Sequence, residues 1–186
     1  MEHQTLINLF KFLEDKEDRE SPIDLYDGIS AVELNGKFNF KNKEGKLLSK
    51  QWFDSVGDFR KGVALVKLNH KENLINQEGQ LFSKQWFDAI GEFINGFADV
   101  ELNHKVNLIN KEGQLVSNQW FDLVYDFENG FALVRLNDKW NFINQKGELI
   151  SKQWLDNAIN FENGFADVEL NGDWYKLSTT GEVTKY

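Results

Sequence analysis

Apolar and polar positions alternate in short stretches of this chain, and the alternation returns at a fixed distance. Across 97–102, Ala98, Val100 and Leu102 interleave with Phe97, Asp99 and Glu101. A period of two places the apolar set on one face of a half-buried β-strand. Asn103-His104 follows, then a second run, Lys105-Val106-Asn107-Leu108-Ile109. The equivalent pairs elsewhere are Asn35-Gly36, Asn69-His70, Asn137-Asp138 and Asn171-Gly172. Each predicts a two-residue hairpin, most strongly the Asn-Gly pairs, because both central residues of a type I′ turn take positive φ. Asn110-Lys111-Glu112-Gly113 predicts a four-residue turn. Gln114-Leu115-Val116-Ser117 predicts a third short strand. Gln119-Trp120-Phe121-Asp122 leads into a fourth that ends at Phe127, and Asn129-Gly130 closes the set.

This pattern recurs every 34 residues. Trp52, Trp86, Trp120 and Trp154 keep that step, as do Gly45, Gly79, Gly113, Gly147 and Gly181, and Gly28, Gly62, Gly96, Gly130 and Gly164. Five units follow: 28–61, 62–95, 96–129, 130–163 and a shortened 164–186. Paired-helix repeats of the tetratricopeptide type share the period, but strict alternation excludes them. One small β-meander cannot bury its own apolar face, so neighbouring units must stack. The expected core is the Trp and Phe of each Trp-Phe-Asp segment, the apolar face of each first strand, and Phe59, Phe93, Phe127 and Phe161.

The fold class is therefore all-β, a tandem array of five β-meander repeats. Such units fit a closed five-bladed propeller or an open spiral. Residues 22–27, Pro-Ile-Asp-Leu-Tyr-Asp, could supply the strand that seals a ring. One position of the first strand reads Glu33, Lys67, Glu101, Arg135, Glu169. If equivalent positions are neighbours, each opposite pair contributes about 0.2–1 kcal/mol, and closure would set Glu169 beside Glu33. An open β-solenoid is favoured on that ground. Ahead of the array, Leu6, Leu9, Phe10 and Leu13 fall at helical spacing. Residues 1–20 are expected to form an amphipathic helix that caps one end, with docking to a partner or a second copy as the alternative. Residues 21–186 form the repeat domain.

The recurring string Gly-Phe-Ala-x-Val-x-Leu-Asn-x-Lys-x-Asn-x-Ile-Asn-x-x-Gly resembles the WG (KWG) β-repeat of bacteria and their phages. Asn137-Asp138-Lys139-Trp140-Asn141-Phe142-Ile143-Asn144-Gln145-Lys146-Gly147 is the copy that matches it best, and the resemblance covers residues 28–186. The name-giving pair departs from it. Trp stands only at Trp140 and Trp174, with Phe38, Glu72 and Val106 elsewhere. The following Gly is replaced by Asn39, Asn73, Asn107 and Asn141, then Tyr175. Asn tolerates positive φ best among non-Gly residues, so a bulge is expected to survive there. The resemblance implies an all-β repeat fold and no single activity.

Composition narrows the function classes. Of 186 residues, 41% are hydrophobic and 27% charged, as in ordinary folded proteins. The absence of cysteine excludes disulfides, thiolate metal sites and a cysteine nucleophile. A net charge of −9 repels a phosphate backbone, so no nucleic-acid partner is expected. No run of 18 apolar residues is present, and no membrane partner is expected. Met1-Glu2-His3-Gln4 lacks the features of a signal peptide, which makes the cytoplasm the expected location.

Candidate chemistry is sparse. Asp54, Asp88, Asp122 and Asp156 recur identically, whereas a catalytic carboxylate pair needs two different environments. They are expected to accept turn hydrogen bonds, and no catalytic residue is assigned. His3, His70 and His104 lack ligand spacing, so no metal and no cofactor is expected. Gln51, Gln85, Gln119 and Gln153 precede Trp. Gln85, Trp86, Asp88, Gln119, Trp120 and Asp122 are thus candidate sugar-binding residues, although large aromatics usually bury. Two positions differ from unit to unit: Phe38, Glu72, Val106, Trp140, Trp174 at one, and Ala31, Leu65, Asp99, Leu133, Asp167 at the other. A scaffold that fixes most positions frees the rest for a partner. The expected function is non-enzymatic protein–protein recognition through Trp140, Trp174, Phe38, Asp99 and Asp167, with Trp140 and Trp174 as aromatic anchors. A multivalent carbohydrate-binding module is the first alternative, and sequestration of a small molecule or nucleotide the second.

Overall fold

A computed structural model describes residues 28–185. The expected helix at 1–20, the strand at 22–27 and His3 lie outside the described residues. These residues contain β-strands and turns and no helix. No helix among them is long and apolar enough to cross a membrane. The chain divides into two compact units, Met1–Gly91 and Glu92–Tyr186.

The first unit holds β1 (Ser30–Leu34), β2 (Lys37–Lys41), β3 (Ser55–Val56), β4 (Val63–Leu68), β5 (Lys71–Asn76) and β6 (Ala89–Ile90). β1 and β2 form one hairpin, and β3, β4 and β5 form an antiparallel sheet in that order. The second unit holds β7 (Phe97–Leu102), β8 (Lys105–Asn110), β9 (Leu123–Val124), β10 (Phe131–Leu136), β11 (Lys139–Asn144), β12 (Asn157–Ala158), β13 (Phe165–Leu170), β14 (Asp173–Ser178) and β15 (Val183–Lys185). Its sheets include β9-β10-β11 and β12-β13-β14-β15, with β7 and β8 paired as a hairpin.

Each hairpin turns on the expected pair. Asn69 and His70 have φ of 51° and 62°, Asn103 and His104 52° and 62°, Asn137 and Asp138 50° and 61°. That is the left-handed geometry of a type I′ turn, whose twist matches the strands it joins. It fixes the register, so Lys67 faces Glu72, Glu101 faces Val106 and Arg135 faces Trp140. The Asn-Gly pairs that close the units turn the same way. Asn129 has φ 49° and Gly130 87°, and Glu128 and Phe131 exchange both backbone hydrogen bonds across the turn.

The expected third strand shrinks to a single bridge in four repeats, as between Ile109 and Leu115. The cause is the residue at the glycine position of the family pair. Asn39, Asn73, Asn107 and Asn141 are fully buried and lie inside regular strands. None has positive φ, so the expected bulge is absent and the reason for Asn is different. The Asn107 side-chain amide donates to the Ser117 and Gln119 carbonyls, at 2.7 and 3.1 Å, and its oxygen accepts from the Leu108 amide at 2.8 Å. The side chain thus replaces a backbone partner and draws the chain away from the ladder. Tyr175 stands at this position in the last repeat. There the ladder continues, and β15 pairs with β14 from Val183 to Lys185.

The expected fourth strand is two short pairings rather than one strand. Phe121 exchanges backbone hydrogen bonds with Val106 of its own hairpin, and then β9 pairs with β10 of the next. The segment therefore crosses from one repeat to the following one and ties them together. Phe53 and Phe121 pass through the same crossing and are fully buried, and Leu155 does likewise at 1% exposure. The Trp beside each is only half-buried, and Phe93 is half-buried as well, so neither belongs to the buried core expected of it. The Trp instead caps the preceding repeat. Trp86 lies 6.4 Å from Phe53, and Trp154 lies 6.5 Å from Phe121, ring to ring. Gly79 and Gly147 carry positive φ in the four-residue turns, and a Cβ on either would overlap the Leu48 or Val116 carbonyl of the repeat before. Repeat stacking is therefore a second demand for glycine at this turn.

Part of the alternating charge is satisfied close by. Lys67 pairs with Glu72 at 2.8 Å, Arg135 with Asp138, and Glu101 lies 3.8 Å from His104. The two cationic positions, Lys67 and Arg135, are thus paired inside single hairpins, so the alternation lends no support to an open over a closed array.

Candidate functional site

The repeated carboxylates are held by the scaffold. Asp54 Oδ2 accepts the Asn69 amide at 2.6 Å, Asp122 Oδ2 that of Asn137 at 2.7 Å, and Asp156 Oδ2 that of Asn171 at 2.6 Å. The other carboxylate oxygen takes the ammonium of Lys37, Lys105 or Lys139. Each Asp thus pins the hairpin turn of the next repeat to the second strand of its own. The Lys hydrogen bond, and after it the turn amide, hold these carboxyls below the usual carboxylate range. A carboxylate anchored on both oxygens is a structural group, as the turn-acceptor expectation has it.

The positions that differ between repeats are spent in different ways. Glu72 is buried, paired with Lys67, and accepts the Ile90 amide at 2.9 Å. Phe38 and Val106 are half-buried opposite Glu33 and Glu101. Trp174 is 38% exposed and faces Glu169. Trp140 is half-buried against the cluster of Leu133, Phe142 and Leu155. Two further side chains meet it. The Arg135 guanidinium carbon lies 5.8 Å from its ring centre, and the Tyr125 ring 6.3 Å away. Tyr125 is itself 49% exposed. Arg135 could have been paired with Trp140 by counting outward from Asn137-Asp138. Tyr125 shows in sequence only as an aromatic where the other repeats carry Gly57, Gly91 and Ile159.

The second variable position separates along polarity. Leu65 and Leu133 are buried there. Asp99 occupies the same slot half-buried, with no cationic partner among the described residues. Burial pushes its carboxyl above the usual range, and Asp126 and Glu101 add to that, against a lowering hydrogen bond from its own amide. Asp167 differs, since Lys176 lies 2.6 Å from it.

The candidate sugar residues are placed as follows. Trp86 and Trp120 are half-buried, as are the side chains of Gln85 and Gln119. The Gln85 and Gln119 carbonyls accept the buried Asn73 and Asn107 amides. Asp88 pairs with Lys71, and Asp122 with Lys105. His70 and His104 are exposed on hairpin turns, and no group of three or more metal-ligating side chains occurs among the described residues. A shallow depression of about 340 Å³ on the second unit is lined by Phe131, Asn144, Lys146 and Thr179, among others.

A family model described as WG containing repeat matches residues 40–71, 108–140 and 142–174, together more than half of the chain. No match was found among curated proteins. Among solved structures, Hsv2p of Kluyveromyces lactis is 13% identical with a TM-score of 0.35, covering 84% of this chain and 58% of that one. A protein of unknown function from Bacteroides caccae is 16% identical with a TM-score of 0.26, covering 84% and 76%. Another Hsv2 structure is 61% covered, so the chain spans about three fifths of the length of these Hsv2 proteins.

Proposed function

The chain belongs to the WG containing repeat family, and from that premise we propose that it is a non-enzymatic recognition module whose partner is a protein. The observation that carries this reading is the contact set of Trp140, Arg135 and Tyr125. Trp, Tyr and Arg are the residue types that dominate binding energy at protein interfaces. Here Arg135 and Tyr125 both lie against the Trp140 ring, and Tyr125 is half in solvent. Exposed Trp174, at the Trp140 position of the next repeat, extends the aromatic set. Asp99 supports the same reading. A half-buried carboxylate without a cation weakens the fold and is suited to a basic group brought by a partner. Phe38 and Asp167 belong to the same variable positions. Asp54, Asp122 and Asp156 are consumed by the scaffold, which supports a non-enzymatic role.

The test is capture on the immobilised full chain from lysate of its source, read by mass spectrometry, beside a Tyr125→Ala/Arg135→Ala/Trp174→Ala variant. Loss of two of these three anchors at about 2 kcal/mol each already corresponds to a drop in affinity of roughly a thousandfold. The expected result is loss of specific protein capture with the melting temperature kept within a few degrees. Equal capture by both proteins contradicts the reading. A carbohydrate-binding reading is supported by Trp86 and Trp120 being half-buried rather than sealed in the core. A glycan array blank for the wild-type chain removes it.

A further inference from the structure

Asn-Gly pairs close successive repeats in the second unit, and their surroundings in sequence are nearly the same. Glu128-Asn129-Gly130-Phe131-Ala132 and Glu162-Asn163-Gly164-Phe165-Ala166 are identical, and Ile94-Asn95-Gly96-Phe97-Ala98 differs only in its first residue. The backbones agree as well. Asn95, Asn129 and Asn163 have φ of 51°, 49° and 50°, and the glycines after them 92°, 87° and 86°. In each turn the residues flanking the pair exchange both backbone hydrogen bonds, and the glycine amide takes no part in that exchange. Local sequence and backbone therefore give these asparagines the same intrinsic chemistry.

The side chains are held differently. Asn95 donates to the Phe127 carbonyl at 3.1 Å, and Asn129 to the Phe161 carbonyl at 2.9 Å. The Phe after each pair is packed too. Phe97 lies 4.4 Å from the Phe127 ring, and Phe131 lies 4.4 Å from the Phe161 ring. The Asn163 side chain is exposed and makes no hydrogen bond among the described residues. Phe165 is 48% exposed and meets no other ring among them.

An asparagine side chain is open to attack by the backbone nitrogen that follows it, and glycine, with no Cβ, hinders that approach least. At Asn163 the Gly164 nitrogen gives its proton to hydroxide and bonds to the side-chain carbonyl carbon. The bond from that carbon to Nδ2 breaks, and the nitrogen leaves as ammonia with a proton from water. Water then opens the cyclic imide at either carbonyl, leaving aspartate or isoaspartate at position 163. The attack requires the side chain to swing toward the glycine nitrogen. A side-chain amide that donates to a neighbouring carbonyl must first give up that bond. We infer that Asn163-Gly164 is a site of spontaneous deamidation in the folded chain, and that the contact between repeats protects Asn95 and Asn129 from the same reaction. The product carries a new negative charge, and as isoaspartate a longer backbone, in the turn that leads into β13.

The test ages the full chain in mildly alkaline buffer, one sample folded and one in urea, and quantifies deamidation at each site by peptide mass spectrometry. In urea, Asn129 and Asn163 are expected to react at equal rates, because their neighbours are the same. In the folded chain, Asn163 is expected to react about tenfold faster than Asn95 or Asn129, the factor that one ordinary hydrogen bond supplies. Equal rates at Asn129 and Asn163 in the folded chain overturn the inference. So does a folded chain whose Asn163 stays intact while the urea sample reacts.

Discussion

At the residue scale, the most instructive position is the buried Asn. In repeat 96–129, asparagine has three different uses between Asn103 and Asn110. Asn103 supplies a left-handed turn, Asn110 accepts the Glu112 and Gln114 amides within its turn, and Asn107 holds the passing loop from inside the core. The first two are legible in sequence because turn chemistry is local. The third is not, since its partners lie 10 and 12 residues ahead and nothing local marks the amide as buried. Replacing Asn107 by Leu leaves the Ser117 and Gln119 carbonyls and the Leu108 amide without their partner. Each such group costs about 1–3 kcal/mol, so the variant is expected to lose several degrees in a thermal melt. An unchanged melting temperature contradicts the latch. The Asp staples give a pH signature. Asp54, Asp122 and Asp156 have lowered carboxyl values in the fold, so their stabilisation is present above the unfolded value, near pH 4, and is lost as pH falls through the lower folded value. Asp99 has a raised value, and its destabilisation is relieved as pH falls through it. Melting temperature is therefore expected to drop below about pH 4. Asp122→Asn should shrink the drop, and Asp99→Asn should raise stability at neutral pH. A profile identical in all three proteins contradicts these assignments.

At the scale of the element, hairpins were legible and the pairings between them were not. Alternation and the Asn-containing turns determine β4–β5, β7–β8 and β10–β11 to within a residue. Both signals act within about a dozen residues. The third strand fails as an expectation because the Asn side chain outcompetes the ladder, a contest invisible to alternation. The last repeat tests that account, since Tyr175 replaces Asn and β15 forms. Tyr175→Asn is expected to loosen the β14–β15 ladder and speed amide exchange across 183–185 by tenfold or more. Exchange that is no faster means that β15 forms for some other reason. The fourth strand fails for a different reason. It pairs first with one hairpin and then with the next, and a partner outside the repeat cannot be read from the repeat alone.

At the scale of the whole molecule, regularity and variation divide the work. Positions that repeat are used inward: Phe53, Phe87 and Phe121 at the crossings, Asn39, Asn73, Asn107 and Asn141 at the latches, and Asp54, Asp122 and Asp156 at the staples. Positions that differ carry Trp140, Trp174 and Asp99. Much of the candidate site was legible, because variable positions stand out once the register is known. Tyr125 was missed because it contacts Trp140 across a crossing segment that the sequence reads as a separate strand. The boundary at Gly91 falls inside repeat 62–95 and has no mark in sequence. The central claim is that scaffold and recognition are carried by different residues. It is tested most directly by measuring melting temperature and partner capture together on two variants, Asn107→Leu at a repeated position and Asp99→Leu at a variable one. The account predicts a lower melting temperature for Asn107→Leu. For Asp99→Leu it predicts an equal or higher melting temperature, as Leu65 and Leu133 fill that slot elsewhere, together with reduced capture. An Asp99→Leu chain that melts lower and captures its partner as well as wild type would contradict it.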